Sequence, residues 1–353
     1  MVAASAAVRA TTDPLTEGYV GDRNGTAIAL GTCPSTPPSR SRMKQFALHS
    51  IAAAALTLPA LAFAQTTPFT FDPTGTPGAT GDITGLGALD QSPGNALSVG
   101  GVVTPVGGQA NLLYQANLGT LNNTAGNPVF LNGTGGNFFT FVAGFRETFT
   151  SVTTGGGNTT ATFALAAGAP NFFVMYATAA PGDNLTGLGF TSGTPILMGT
   201  INATNFTSSF SETLASIASP VQFDQFGTNN YPGVTSVTGV GASQFNARIT
   251  SFNANYFPSL SATNLTLSFF NTSQVTPFLQ VDPSGRFSSN GVANGDVVAN
   301  RGAINGVSGP DFQFQADANT SFQVTAVPEP ETYALLLGGL GLVGFVVGRR
   351  RRG

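Results

Sequence analysis

Between residues 65 and 326 the chain has no cysteine, no histidine, no tryptophan and no lysine. Its single Cys33, single His49 and single Lys44 all lie ahead of that stretch. Without cysteine there is no disulfide framework, no thiol nucleophile and no thiolate metal site. Without histidine the usual general base and the commonest transition-metal ligand are both missing. Charge is scarce as well. Four arginines (Arg146, Arg248, Arg286 and Arg301) stand against eleven carboxylates. So few cations cannot form the basic footprint of a nucleic-acid binder, and no nucleic acid is expected as a partner. What remains is Asn, Thr, Ser, Gly and Phe, which suits a neutral, hydrogen-bonding surface.

The two ends differ from this body. Val327-Pro328-Glu329-Pro330-Glu331 precedes an apolar run, Tyr333–Gly348, and four arginines follow, Arg349, Arg350, Arg351 and Arg352. As a helix the run would measure roughly 24 Å at 1.5 Å per residue, against a bilayer core of about 30 Å. It is therefore a marginal anchor that leans on its basic stop, which should stay cytoplasmic. Pro328 and Pro330 hold φ near −65° and keep the motif extended outside the membrane. At the front, Lys44 opens an apolar run from Phe46 to Leu58, and Pro59 breaks it. Ala62-Phe63-Ala64 then supplies a small-x-small cleavage site before Gln65. Residues 43–64 are expected to be a signal peptide. Residues 1–42 are expected to be a start called too early, or else a disordered leader.

The order of motif, apolar run and arginines resembles the PEP-CTERM sorting tail of Gram-negative bacteria. The resemblance covers residues 327–353, with the motif at 327–331, a membrane helix at 333–348 and the basic stop at 349–352. It implies export, transient membrane arrest and processing by an exosortase. Signal peptidase would act at the other end, and the destination would be the cell surface or beyond. Cargo of this class is linked with extracellular polysaccharide, biofilm or floc formation. The body loosely resembles flocculation-associated members in its Gly/Asn/Thr/Phe-rich composition.

Within 65–326 the pattern is strand-like. Phe139, Phe141, Ala143, Phe145 and Phe149 share one parity, with Thr140, Arg146 and Thr148 on the other. Ala161, Phe163 and Leu165 alternate with threonines, Leu265, Leu267 and Phe269 with Asn264, Thr266 and Ser268, and Phe312 and Phe314 with glutamines. Gly155-Gly156-Gly157-Asn158 is a hairpin signal. The continuously apolar Phe172–Tyr176 suits a central strand. Residues 65–96 are rich in turn dipeptides. Ser208–Ser219 has helical spacing around Phe210, Leu214 and Ile217 and is the best helix candidate. The expected fold is all-β, an antiparallel β-sandwich or barrel-like domain, with a signal peptide before it and a single membrane helix after it.

Candidate chemistry is sparse. Asp282, Asp296, Asp311 and Asp317 offer oxygen ligands for Ca²⁺, but no spacing matches a known loop, and turn roles explain them. Glu147 and Glu212 are the only glutamates of the body and could pair as in a glycosidase. Glu147 shares the parity of Phe145 and Phe149, so a structural ion pair with an arginine, or a strand-edge position, is the simpler expectation. Tyr114, Tyr176, Tyr231 and Tyr256 are possible contacts at a binding face. No catalytic residue, cofactor or metal site is expected. The primary expectation is a non-enzymatic surface or matrix protein whose further partner is exopolysaccharide. The alternatives are a carbohydrate-binding or adhesin module, calcium-assisted or not, and a carboxylate hydrolase.

Overall fold

Period-two alternation determines the architecture. The computed structural model describes residues 68–323 except 77, 79, 80, 261–266 and 294. The strands are β1 (Phe69–Phe71), β2 (Ile83–Gln91), β3 (Gly94–Val99), β4 (Gln109–Asn123), β5 (Pro128–Leu131), β6 (Phe138–Gly155), β7 (Asn158–Leu165), β8 (Asn171–Thr178) and β9 (Thr194–Thr213). A short helix α1 (Leu214–Ala218) follows. Then come β10 (Val221–Gln222), β11 (Thr235–Ser236), β12 (Gly239–Phe252), β13 (Leu267–Thr276), β14 (Arg286–Phe287), β15 (Val297–Val298), β16 (Ile304–Asn305) and β17 (Phe312–Gln323).

β2 and β3 occupy one wall position, both flanked by β4 and β17. β7 and β8 share another, between β6 and β9. The ladder runs on through β12, β13 and β17, while β4 pairs β6 on the other side. Every neighbour is antiparallel and the circuit closes. Of the sandwich and the barrel, the chain forms the barrel, an up-and-down one. Closure by β17 against β2 and β3 removes the free edges that such long strands would otherwise expose. The β6–β7 hairpin turns on Gly156 (φ 60°) and Gly157 (φ 84°), the two positive φ values that a tight two-residue hairpin requires.

The apolar faces point inward. Leu112, Phe141, Phe145, Phe173, Phe245 and Phe314 belong to one buried cluster. Phe145 meets Phe245 edge-on with ring centroids 5.1 Å apart. Thr160, Thr162, Ser209, Ser211 and Gln244 take the opposite parity on the outer wall, and Thr160 hydrogen-bonds Ser211 at 2.9 Å. This arrangement is the inverse of a lipid-facing barrel, whose apolar residues point outward.

Part of the outer wall carries a second layer. Phe190 covers Val142, Val174 and Tyr176, and Phe287 covers Leu97 and Leu113. Tyr176 also donates to the Gly291 carbonyl. The continuous run Phe172–Tyr176 is explained here: its residues are buried on both faces of β8, as expected of a central strand.

Asparagine side chains act as stand-ins for backbone. Asn132 accepts from the Phe139 amide at 2.8 Å and donates to its carbonyl at 3.3 Å. Asn117 does the same with Gly182 at 2.8 and 2.9 Å. Asn305 does so with Gln313, both at 2.8 Å. A side-chain amide carries the donor and acceptor of a peptide group, so each pair satisfies backbone groups that no strand reaches.

Two expectations need correction. Ser208–Thr213 is not helical. β9 runs to Thr213, and only Leu214–Ala218 forms a helix. Phe210 enters the barrel with Ser208 and Glu212, so the ladders to β7 and β12 override the helical spacing. The turn-rich 65–96 segment also contains β1, β2 and the first half of β3. Ser92-Pro93 merely interrupts one wall position there, because proline has no amide hydrogen to give to a ladder.

Candidate functional site

The barrel is not filled at one end. A cavity of about 320 Å³ opens at the pole where β3 and β13 end, β17 begins and the β6–β7 hairpin projects. Five phenylalanines line it, with Ser98, Thr104, Thr159, Ser208 and Gln274 among them. Phe210 lies 5.0 Å from Phe312 and 5.6 Å from Phe314 between ring centroids. Phe149 meets Phe163 at 4.8 Å. β12 makes room for Phe210 with glycine: a Cβ on Gly239 would stand 2.5 Å from the Phe210 ring.

Glu147 lies inside this apolar wall. It is 5 % exposed, and its Oε1 has no hydrogen-bond partner. Burial raises its carboxyl to about 7, and a hydrogen bond with Ser208 opposes that rise. Ser208 continues a polar chain, with its hydroxyl 2.9 Å from that of Ser243. Gln274 Nε2 donates to Ser243 Oγ at 2.7 Å and to Thr272 Oγ1 at 3.1 Å. Glu212 lines the same cavity, and burial raises its carboxyl too. A buried carboxylate shifted by desolvation in a cleft is a mark of a functional site. The mouth of a barrel is a common place for one.

The structure thus revises the expectation for Glu147. It occupies the middle of a wall strand, paired on both sides to β4 and β7, and its partner is Ser208 rather than an arginine. Arg146, on the opposite parity, hydrogen-bonds Asn111 outside at 3.1 Å. Parity with Phe145 and Phe149 was the signal that located Glu147. Nothing in the spacing showed that Glu212, far along the chain on β9, would share its cavity.

The other candidates scatter. Asp311 accepts from the Gly100 and Asn300 amides at 3.0 and 2.7 Å. Asp296 accepts from the Ser289 amide at 2.9 Å, and Asp282 accepts from Asn230 at 2.7 Å. Asp317 stands on β17, within electrostatic reach of Asp90. Among the described residues no three potential metal-ligating side chains gather. Tyr114 and Tyr176 are buried. Tyr231 donates to the Pro283 carbonyl at 2.7 Å and supports Arg301, whose guanidinium lies 4.3 Å from its ring centre. Tyr256 packs against Phe71 and Phe139.

Val327, Pro328, Glu329, Pro330, Arg349, Arg350, Arg351 and Arg352 lie outside the described residues, as do Ala62, Ala64, Gln65 and the expected helix 333–348. The chain approaches the tail from a definite side, however. Gln323 ends β17 at the pole opposite the cavity, where β1 pairs β2.

Residues 326–352 match the family model described as PEP-CTERM protein-sorting motif. No curated protein and no solved structure matches the chain. The matched span takes in the Pro-Glu-Pro motif, the apolar run and the arginines. It supports export, processing by exosortase and a surface or extracellular destination. By this tail the chain is a PEP-CTERM sorting domain-containing protein, and its body is a closed antiparallel β-barrel.

Proposed function

We propose that this protein is a non-enzymatic component of the cell surface or extracellular material, acting in polysaccharide, biofilm or floc formation with exopolysaccharide as its partner. Signal peptidase frees Gln65, and residues 333–348 hold the barrel at the membrane until the exosortase acts. The observation that carries this reading is the sorting tail on a barrel with a sparsely charged, hydrogen-bonding outer wall. The described chain leaves the barrel at one pole, at Gln323, and the cavity opens at the other, so in this reading an arrested chain presents its open end away from the membrane.

A strain deleted for the gene tests the role. The full chain should restore floc or biofilm mass, and a chain ending at Ala326 should not. Normal floc in the deletion strain, or full rescue by the truncated chain, would overturn the proposal.

One observation favours a second reading, a carboxylate hydrolase. Glu147 and Glu212 share the cavity, and a carboxyl near 7 suits a general acid. Residues 65–326 hold no histidine and no third glutamate, which weighs against it. Glycosidase substrates screened against the exported protein and Glu147→Gln would decide; turnover lost in the variant would establish the hydrolase. The carbohydrate-binding module has less support still, since Tyr114 and Tyr176 are buried and Asp282, Asp296 and Asp311 brace loops.

A further inference from the structure

We propose that the barrel cavity binds an amphipathic amine, a small apolar molecule carrying one protonated amino group, with Glu147 as the counter-ion. Three observations converge. The cavity has an apolar part formed by Leu112, Phe149, Phe163, Phe210, Phe312 and Phe314, beside Ser98, Thr104, Thr159 and Gln274, and at about 320 Å³ it falls within the range of small-molecule sites. Glu147 reaches into it with an oxygen that nothing in the protein satisfies. No arginine lines the cavity, while both of its ionisable residues are carboxylates.

The chemistry of the ligand follows. An anion such as a fatty acid would share a low-dielectric space with Glu147 and Glu212 and meet no cation. A wholly apolar ligand would fill the volume but leave Glu147 Oε1 buried and unpaired, at the cost of a desolvated polar atom. An ammonium group gives that oxygen a charge-assisted hydrogen bond, and the alkyl or ring body takes the place of water against the phenylalanines. Ser208 holds Glu147 from the side and is held by Ser243, so the carboxyl is pre-oriented. Exposed Val103, Val106, Val152 and Val307 belong to segments around the same pole, where an apolar ligand would enter.

The test is calorimetric titration of the protein recovered after export with octylamine, octanoate and octanol, each below its aggregation limit. Octylamine should bind at one site per chain, at least tenfold more tightly than octanoate or octanol. Glu147→Gln, nearly isosteric, should weaken octylamine at least tenfold and leave octanol unchanged. Ala161→Trp, which fills the cavity from β7, should abolish binding and provides the decision if Glu147→Gln does not fold. Equal binding of octylamine and octanoate, no octylamine binding, or octylamine binding that survives Ala161→Trp would overturn the proposal. The last result would identify mere adsorption to an acidic surface.

Discussion

Asn171 and Ile201 exchange two hydrogen bonds across the barrel wall. The Ile201 amide donates to Asn171 Oδ1 at 2.7 Å, and Asn171 Nδ2 donates to the Ile201 carbonyl at 2.9 Å. They sit between the stretch where β7 pairs β9 and the stretch where β8 pairs β9. One side chain thus bridges a break in the ladder. Asn171→Ala leaves a backbone amide and a carbonyl without these partners and should cost about 1–3 kcal/mol. Urea unfolding should show this as a lower midpoint with an unchanged slope. A midpoint equal to that of the parent would mean that water bridges the seam as well as the amide does.

Much of the wall was legible beforehand, for a physical reason. Phe139 to Phe149 and Phe312 to Phe314 alternate because one face of each strand lines the barrel core, and period two records that directly. The hairpin at Gly156-Gly157 was equally plain, since positive φ is written in glycine. Phe210 was misread because Phe210, Leu214 and Ile217 match helical spacing, and only the long-range ladders to β7 and β12 decide otherwise. Closure was not legible: β17 must meet β2 from the far end of the body, and no local pattern records that pairing. The site was half legible. Parity placed Glu147 inward, but its cavity is built from strands across the whole body.

Stability should fall as pH rises through the range set by Glu147. Its folded value, about 7, lies above the ordinary 4.5. Below 4.5 both folded and unfolded chains hold the proton and no penalty applies. Between 4.5 and 7 the unfolded chain releases it first, so the folded state loses ground, by about 3 kcal/mol in all at 1.36 kcal/mol per unit. Above 7 the contribution is level. Urea midpoints from about pH 4 to 8 should show this decline, superimposed on the other carboxylates. In Glu147→Gln this component should vanish, leaving the variant the more stable protein at the alkaline end. A parallel pH profile for the two proteins would place Glu147 in water.

Reductant and chelator should leave the fold intact. Residues 65–326 hold no cysteine and no histidine, and stability comes from buried phenylalanine, at about 25 cal/mol per Å² of apolar surface. Circular dichroism with dithiothreitol and EDTA should show β structure and a cooperative melt. A coil spectrum that turns β only on adding Ca²⁺ would instead mark a calcium-dependent module.

The most direct test of an exported barrel with its open pole facing outward is labelling in whole cells. Gly155 lies at the end of β6 on the cavity-side hairpin, and a Cβ there meets nothing within 4 Å. Gly155→Cys, combined with Cys33→Ser, therefore places a lone thiol at that pole without strain. The expected result is modification of intact cells by a membrane-impermeant maleimide, to the same extent before and after lysis. Modification only after lysis would contradict surface display.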